Sequence, residues 1–257
     1  MDALLQRRMF ARSFLLQAFW NYERMQNLGF LYAFEPALLR AYKDPAARHA
    51  AALRHMDYFN TQPYMAGFIL GVVAGEEEII ARSDQSLRPA LVARCAAVKR
   101  AMASGMAALG DRIFWGAFRP ACAAATIFLW ALLWTLRIPH PVLLGSLAVL
   151  FFFNWTALRA RWDGLRLGYH WQERLPEALS NQSWTHWMVP ARRTGLLLAL
   201  VCAAGMFMVP PWGSFAFSNV LVLAACWALR AKGVSALKIY AGLCGLGCLW
   251  AVLLRLA

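Results

Sequence analysis

The chain has 257 residues, is 61% hydrophobic and only 15% charged, and carries a formal net charge of +13. About a quarter charged is usual for a soluble domain, so this balance excludes an ordinary water-soluble fold. The basic residues flank apolar runs and form no soluble basic surface, which makes them a topology signal and argues against nucleic-acid binding.

From the N-terminus, Met1–Arg12 is charged and no cleavable apolar core follows it, so no secretory leader is expected and insertion falls to internal spans. Phe10–Phe34 has helical periodicity, with Phe14, Ala18, Met25 and Leu28 near one stripe. Its polar, aromatic remainder predicts a helix lying in the interface or under a bundle. Lys43–Tyr58 reads as an amphipathic helix with an Arg-rich face, and Pro45 suits its first turn. Pro63–Gly75 is apolar but too short to cross about 30 Å of hydrocarbon, which predicts a re-entrant or buried segment. Glu76-Glu77-Glu78 is then expected to return the chain to water. Residues 79–104 read as one or two solvated helices. Gly105–Pro120 reads as a second short element, glycine-punctuated and aromatic, that feeds the first span.

Five apolar runs follow, Ala121–Ile138, Val142–Leu158, Gly195–Val209, Phe215–Leu229 and Ile239–Leu254, each near the ~20 residues of a spanning helix. Pro139-His140-Pro141 and Pro210-Pro211-Trp212-Gly213 break the ladder between neighbouring runs and predict helical hairpins. Of the 26 Lys and Arg, all but Arg137 and Arg255 lie before residue 120, in 159–194 or in 230–238. That bias predicts a cytoplasmic N-terminus and an outer C-terminus. The expected fold is therefore an all-α integral membrane protein of about five transmembrane helices. An N-terminal region, 1–119, of amphipathic helices and short re-entrant segments precedes a membrane bundle, 120–257, with a cytoplasmic loop at 159–194. Gly242, Gly245 and Gly247 are expected to permit close packing in the last span.

The six cysteines show no CxxC pair or metal spacing and read as small apolar packing residues. His49 and His55 read as surface or packing groups. No metal site, cofactor site or nucleophile–base pair can be assembled.

Three stretches mix charged, amide and aromatic residues densely: WNYERMQNLGF (20–30), RHMDYFNTQPYM (54–65) with ILGV (69–72) and Glu76-Glu77, and GDRIFWGAFRP (110–120). With the basic turn running from Arg230 to Leu237, they resemble the IID subunit of the mannose/fructose/sorbose family of the bacterial sugar phosphotransferase system (PTS). The order agrees along nearly the whole chain, and over 121–215 mainly in hydropathy. The resemblance implies a permease subunit in the bacterial cytoplasmic (inner) membrane, paired with a IIC subunit and assembled as a trimer of IIC–IID pairs. It implies import of a hexose-type sugar coupled to phosphorylation by cytoplasmic IIA and IIB phosphocarriers. It implies no catalytic residue, cofactor or nucleic-acid partner for this chain. Phe68 stands where the family usually has proline, Ser104–Leu109 lacks the usual proline-containing turn, and the loop at Pro210–Ser214 is short. Those departures support a second reading, a IID-like subunit with a mainly regulatory or assembly role and weak transport.

A sugar path needs fixed donors and acceptors beside an aromatic surface. Glu23, Gln26 and Asn27 cluster within about one helical turn, Asn60 and Gln62 sit at the mouth of the first short apolar segment, and Asp111 with Trp115 sits at the second. These seven are the substrate-path candidates. The competing reading of the same residues is capping and interhelical hydrogen bonding, with Asn60 or Thr61 capping a helix from Pro63 and Asp111 one from Ile113.

Overall fold

Helix formation begins where Asp2 accepts the Leu5 amide, opening α1 (Ala3–Ser13) in a computed structural model that describes residues 1–171, 185–208 and 212–256. The chain falls into two compact units, Met1–Leu198 and Ala199–Ala257.

In the first unit, the continuous helix expected over Phe10–Phe34 is interrupted. Asn21 and Met25 exchange both backbone hydrogen bonds, and the Asn21 Oδ1 accepts the Arg24 amide at 2.8 Å. Such local side-chain bonds compete with the helical ladder. Met25 adopts φ +56°, a left-handed conformation that an ordinary side chain visits only when its surroundings enforce it. Helix α2 (Asn27–Ala41) follows, then α3 (Pro45–Arg54), where Asp44 caps the Ala46 and Ala47 amides and Pro45 occupies the first turn as expected.

Of the expected short segment Pro63–Gly75, Met65–Gly75 is buried and Pro63 and Tyr64 are half-buried, and from Ala66 it belongs to a continuous 17-residue helix, α4 (Ala66–Arg82), that runs on through the three glutamates. Glu76 and Glu77 do not return to water: both are buried, because basic and aromatic side chains from neighbouring helices close over them. Helix α5 (Arg88–Gly110), an eight-residue π-helical segment (Asp111–Phe118) and α6 (Arg119–Thr135) form one unbroken helical run. Asp111 therefore lies inside a helix and caps none, and the boundary expected at 119/120 falls within that run. Helix α7 (Pro141–Trp171) is the longest single α-helix at 31 residues, and α8 (Thr185–Met208) follows. The loop expected at 159–194 is thus helical up to Trp171 and again from Thr185, while 172–184 lie outside the described residues.

α4 and α7 meet through paired Gly-x-x-x-Gly faces. A β-carbon on Gly67 or Gly71 would strike the Arg161 or Leu165 carbonyl, and one on Gly168 would strike that of Phe68. Small residues at this spacing let helix backbones approach closely. The core of the unit includes Phe30, Phe34, Phe59, Met65, Ile69, Leu70 and Leu165.

In the second unit, α9 (Trp212–Ala231) and α10 (Ala236–Leu256) form a hairpin. Gly233 at φ +84° ends α9: its amide reaches the Arg230 carbonyl, and the Val234 amide reaches that of Leu229. At the last-span glycines Gly242, Gly245 and Gly247, expected as packing positions, an added β-carbon would meet no atom of another helix within 4 Å among the described residues. Among the described residues, three helical stretches are long and apolar enough to cross a membrane, Arg88–Thr135, Pro141–Trp171 and Met188–Gly205, with shorter apolar stretches at Val220–Ala231 and Ala236–Gly247.

Candidate functional site

The three polar motifs, remote in sequence, converge. Residues 24–27 and 56–61 are stitched by backbone bonds, with the Gln26 amide on the Phe59 carbonyl at 2.8 Å and the Phe59 amide on Arg24 at 3.3 Å. The Gln26 side chain closes a two-bond ring with Thr61: Nε2 donates to its carbonyl and Oε1 accepts its amide, both at 3.0 Å. Asn27 Nδ2 donates to the Met56 carbonyl at 2.8 Å and its Oδ1 accepts from Asn21. Thr61 Oγ1 then donates to the Ala103 carbonyl of α5. The third motif arrives through Gly110, which leaves no room for a β-carbon against Gln62 and Met65. It continues through Phe114 and Trp115, whose rings meet Tyr64 at 4.8 and 6.1 Å.

Gln62 is buried beside the start of α4. Its Oε1 accepts the Tyr64 and Met65 amides, as a helix cap does, while its Nε2 is, among the described residues, the one buried side-chain nitrogen or oxygen with no hydrogen-bond partner.

Below this junction lies an ion-pair cluster centred on Glu77, which is fully buried. Arg54 donates to both carboxylate oxygens, Tyr42 Oη donates at 2.7 Å, and His55 Nε2 lies 2.8 Å away. Burial alone would raise the Glu77 carboxyl; the bonds from His55, Arg54 and Tyr42 outweigh it and hold it at about 2. Burial also lowers His55, reinforced by the neighbouring Lys99 and Arg54 cations, so its Nε2 is the donor to Glu77 in a neutral ring. Tyr42 is raised by burial and by the Glu77 charge. Glu76 pairs with Arg94 at 2.9 Å, and Glu78 accepts from Tyr169 of α7 at 2.7 Å. Three consecutive glutamates therefore tie α4 to the ends of α2 and α3, to α5 and to α7.

Two buried cations extend the frame without a carboxylate partner among the described residues. Lys99 Nζ donates to the His55 carbonyl at the end of α3 and lies 4.2 Å from the centre of the Phe30 ring. Arg161 Nη1 donates to the Ser13 carbonyl at 2.6 Å and stacks 5.0 Å from Phe14. Each cation sits at a helix C-terminus, where orphan carbonyls and the helix dipole favour positive charge.

The ligand atoms of His55, Glu77 and Cys95 lie within 4.8 Å of one another. Both Glu77 oxygens are already committed to donors, and Arg54 and Lys99 stand beside the trio. That electrostatic setting opposes a divalent cation and makes the group a structural knot.

The seven substrate-path candidates divide. Gln26 and Asn27 are buried and spend their amides on the frame; Gln62 is buried with one free donor. Glu23, Asn60 and Asp111 are exposed, and Trp115 is 41% exposed. Glu23 pairs with Arg24, and Trp115 is covered on one side by Arg119 at 5.2 Å. Sequence reasoning missed the roles of Glu77, Lys99 and Arg161. Each sits among other charged residues of its own helix, Glu77 between Glu76 and Glu78, Lys99 beside Arg100 and Arg161 between Arg159 and Asp163, so no local signal set it apart.

A family model described as "PTS system mannose/fructose/sorbose family IID component" matches residues 3–199. The chain belongs to that family. Among curated relatives it is 38% identical over 166 residues to a PTS mannose-specific EIID component of Escherichia coli K12, covering 63% of this chain and 54% of that protein. It is 37% identical over 161 residues to a PTS sorbose-specific EIID component of Klebsiella pneumoniae, and 34% identical over 165 residues to a fructose permease IID component of Bacillus subtilis. Each of the latter two alignments covers 63% of this chain and 54% of the relative. The chain thus spans about half the length of the curated relatives it matches. Two solved structures are similar over 98% of this IID-family chain and 97% of theirs. One, described only as a membrane protein, has TM-score 0.71 at 27% identity. The other, a mannose transporter ManYZ in complex with microcin E492, has TM-score 0.54 at 26% identity. The IID chain is a multi-pass, all-helical membrane protein.

Proposed function

We propose that this chain is the IID half of a sugar permease, acting with a IIC subunit in the bacterial inner membrane with its N-terminus in the cytoplasm. It imports a hexose-type sugar whose phosphorylation is supplied by IIA and IIB partners, in an assembly of three IIC–IID pairs. The chain itself is not the phosphoryl carrier. The observation that carries the reading is the convergence of the three motifs into one body, most of whose buried polar groups are satisfied by one another. Of the seven candidates, Glu23, Asn60, Asp111 and Trp115 are exposed and open to a partner or a sugar, and Gln62 Nε2 has no hydrogen-bond partner among the described residues. Exposed carboxylate, amide and indole groups around a rigid body are the materials of a carbohydrate contact. Sugar uptake in cells that keep IIC but lack this chain tests the proposal: uptake should be lost, and unchanged uptake refutes it.

The assembly reading has one observation in its favour. Phe68, in place of a proline, stacks on Trp171 at 5.3 Å and fills the space against Gly164, locking α4 to α7 in an unbroken helix. If that reading holds, deleting the chain removes IIC from the membrane, and restoring it returns IIC without restoring transport.

A further inference from the structure

A groove of about 570 Å³ opens between α6 and α7, beside the end of the π-helical segment. Its body is mainly apolar, with Ala123, Val149, Leu150 and Phe153 beside Thr126 and Ser146, and one end carries Trp115 and Arg119. The lining runs from Arg119 to Thr126 on α6, two helical turns or about 10 Å along the axis. Beyond the lining, Trp130 packs against Gly145 and donates to Ser146 Oγ at 3.2 Å.

We propose that this groove binds one anionic phospholipid, with an acyl chain along α6 and α7 and the phosphate at Arg119 and Arg112. The apolar body selects no particular lipid, since bilayer chains are as apolar as the side chains that line it. Selectivity comes from the charged end. Arg112, Trp115 and Arg119 all lie exposed on one side of the run, and neither arginine forms an ion pair with a carboxylate among the described residues. Trp115 packs under Arg119, which holds the guanidinium at the mouth of the groove. Arg119 opens α6 just before its apolar run, the level at which tryptophan and arginine meet headgroups. The site depends only on the membrane setting of α6 and α7 and not on what the assembly transports.

The test uses the full chain, extracted with whatever subunits accompany it and loaded with phosphatidylglycerol or phosphatidylcholine of equal chain length. Bound lipid is read by native mass spectrometry. Phosphatidylglycerol should be retained preferentially, about fivefold less in Arg119→Gln and roughly 25-fold less in the Arg112→Gln/Arg119→Gln pair. A photo-crosslinking residue at Leu150 should capture lipid, and less of it in the double variant. Equal retention of the two lipids, retention unchanged in the double variant, or capture of a polypeptide at Leu150 would overturn the proposal. The arginine variants are at exposed positions, so they stand as a test even if substitution at Leu150 disturbs folding.

Discussion

Replacing Glu77 by Gln keeps the shape of the buried side chain and removes its charge. Arg54 would then face a neutral amide where it now gives two hydrogen bonds to a carboxylate, and either Tyr42 or His55 would lose its acceptor. Removing one partner of a buried pair costs about 3–5 kcal/mol, chiefly because the remaining charge is stranded. For a compact unit of this size, each kcal/mol is worth roughly 2–4 °C, so the detergent-solubilised protein should melt about 6–20 °C lower. The assay is a thermal ramp followed by size-exclusion chromatography, with Glu35→Gln, an exposed ion pair to Arg12, as control. The control should shift by no more than about 1 kcal/mol equivalent. If Glu77→Gln melted within a degree of the parent, the cluster would not be holding α2, α3 and α4 together.

Acid should act through the same cluster. The folded Glu77 is depressed, so its stabilisation is complete above its unfolded pKa and is lost as pH falls toward about 2. The lowered His55 acts in the same direction: below the ordinary histidine range the unfolded chain takes up the proton first, so stability falls as pH drops through that range. Melting curves from pH 8 to 4 should show that loss, reduced in a His55→Gln variant. Gly168→Ala should cut folded yield, at a cost of about 1–3 kcal/mol or more, because the added methyl meets the Phe68 backbone; Gly242→Ala should be neutral or slightly stabilising. Arg161→Met should leave the Ser13 carbonyl with only the Leu16 amide at 3.2 Å and speed amide exchange in the last turn of α1 by about tenfold, which hydrogen exchange reads directly. Glu23→Gln and Asn60→Ala should lower sugar uptake while leaving the amount of protein in the membrane unchanged; loss of the protein would assign both residues to the frame.

The apolar helices of the membrane region were legible because a spanning helix is a statement of composition and length, and all five runs lie within the observed helices apart from residues at their ends. The start of α3 was legible for a different reason: Pro45 after Asp44 is a complete local cap. Glu77 was opaque. Nothing near it in sequence announces that Arg54, His55 and Tyr42 will close over it, so a run of three glutamates looked like a return to water. The break at Asn21–Met25 hid inside a window whose hydrophobic period was helical throughout, since periodicity does not register one left-handed residue. The π-helical segment was invisible because it changes register without changing composition. The Gly67–Gly71 and Gly164–Gly168 pairs have the same small-residue character as the glycines of the last span, and sequence does not tell the two sets apart. Small-residue spacing names a face but not the helix that meets it.

The helical run from Arg88 to Thr135 has 48 residues, about 70 Å end to end, against about 30 Å of hydrocarbon. Well over half of it must stand clear of the lipid chains, and that overhang is where Lys99, Arg94 and Ala103 fasten the three motifs. The rod therefore behaves as a lever with its fulcrum in the bilayer. A 10° rocking of α6 would swing the tip of α5, about 45 Å beyond the start of α6, through about 8 Å if the eight π-turn residues transmit it rigidly. Whether they stiffen or yield sets how far movement at membrane depth is felt by the glutamate-pinned body above.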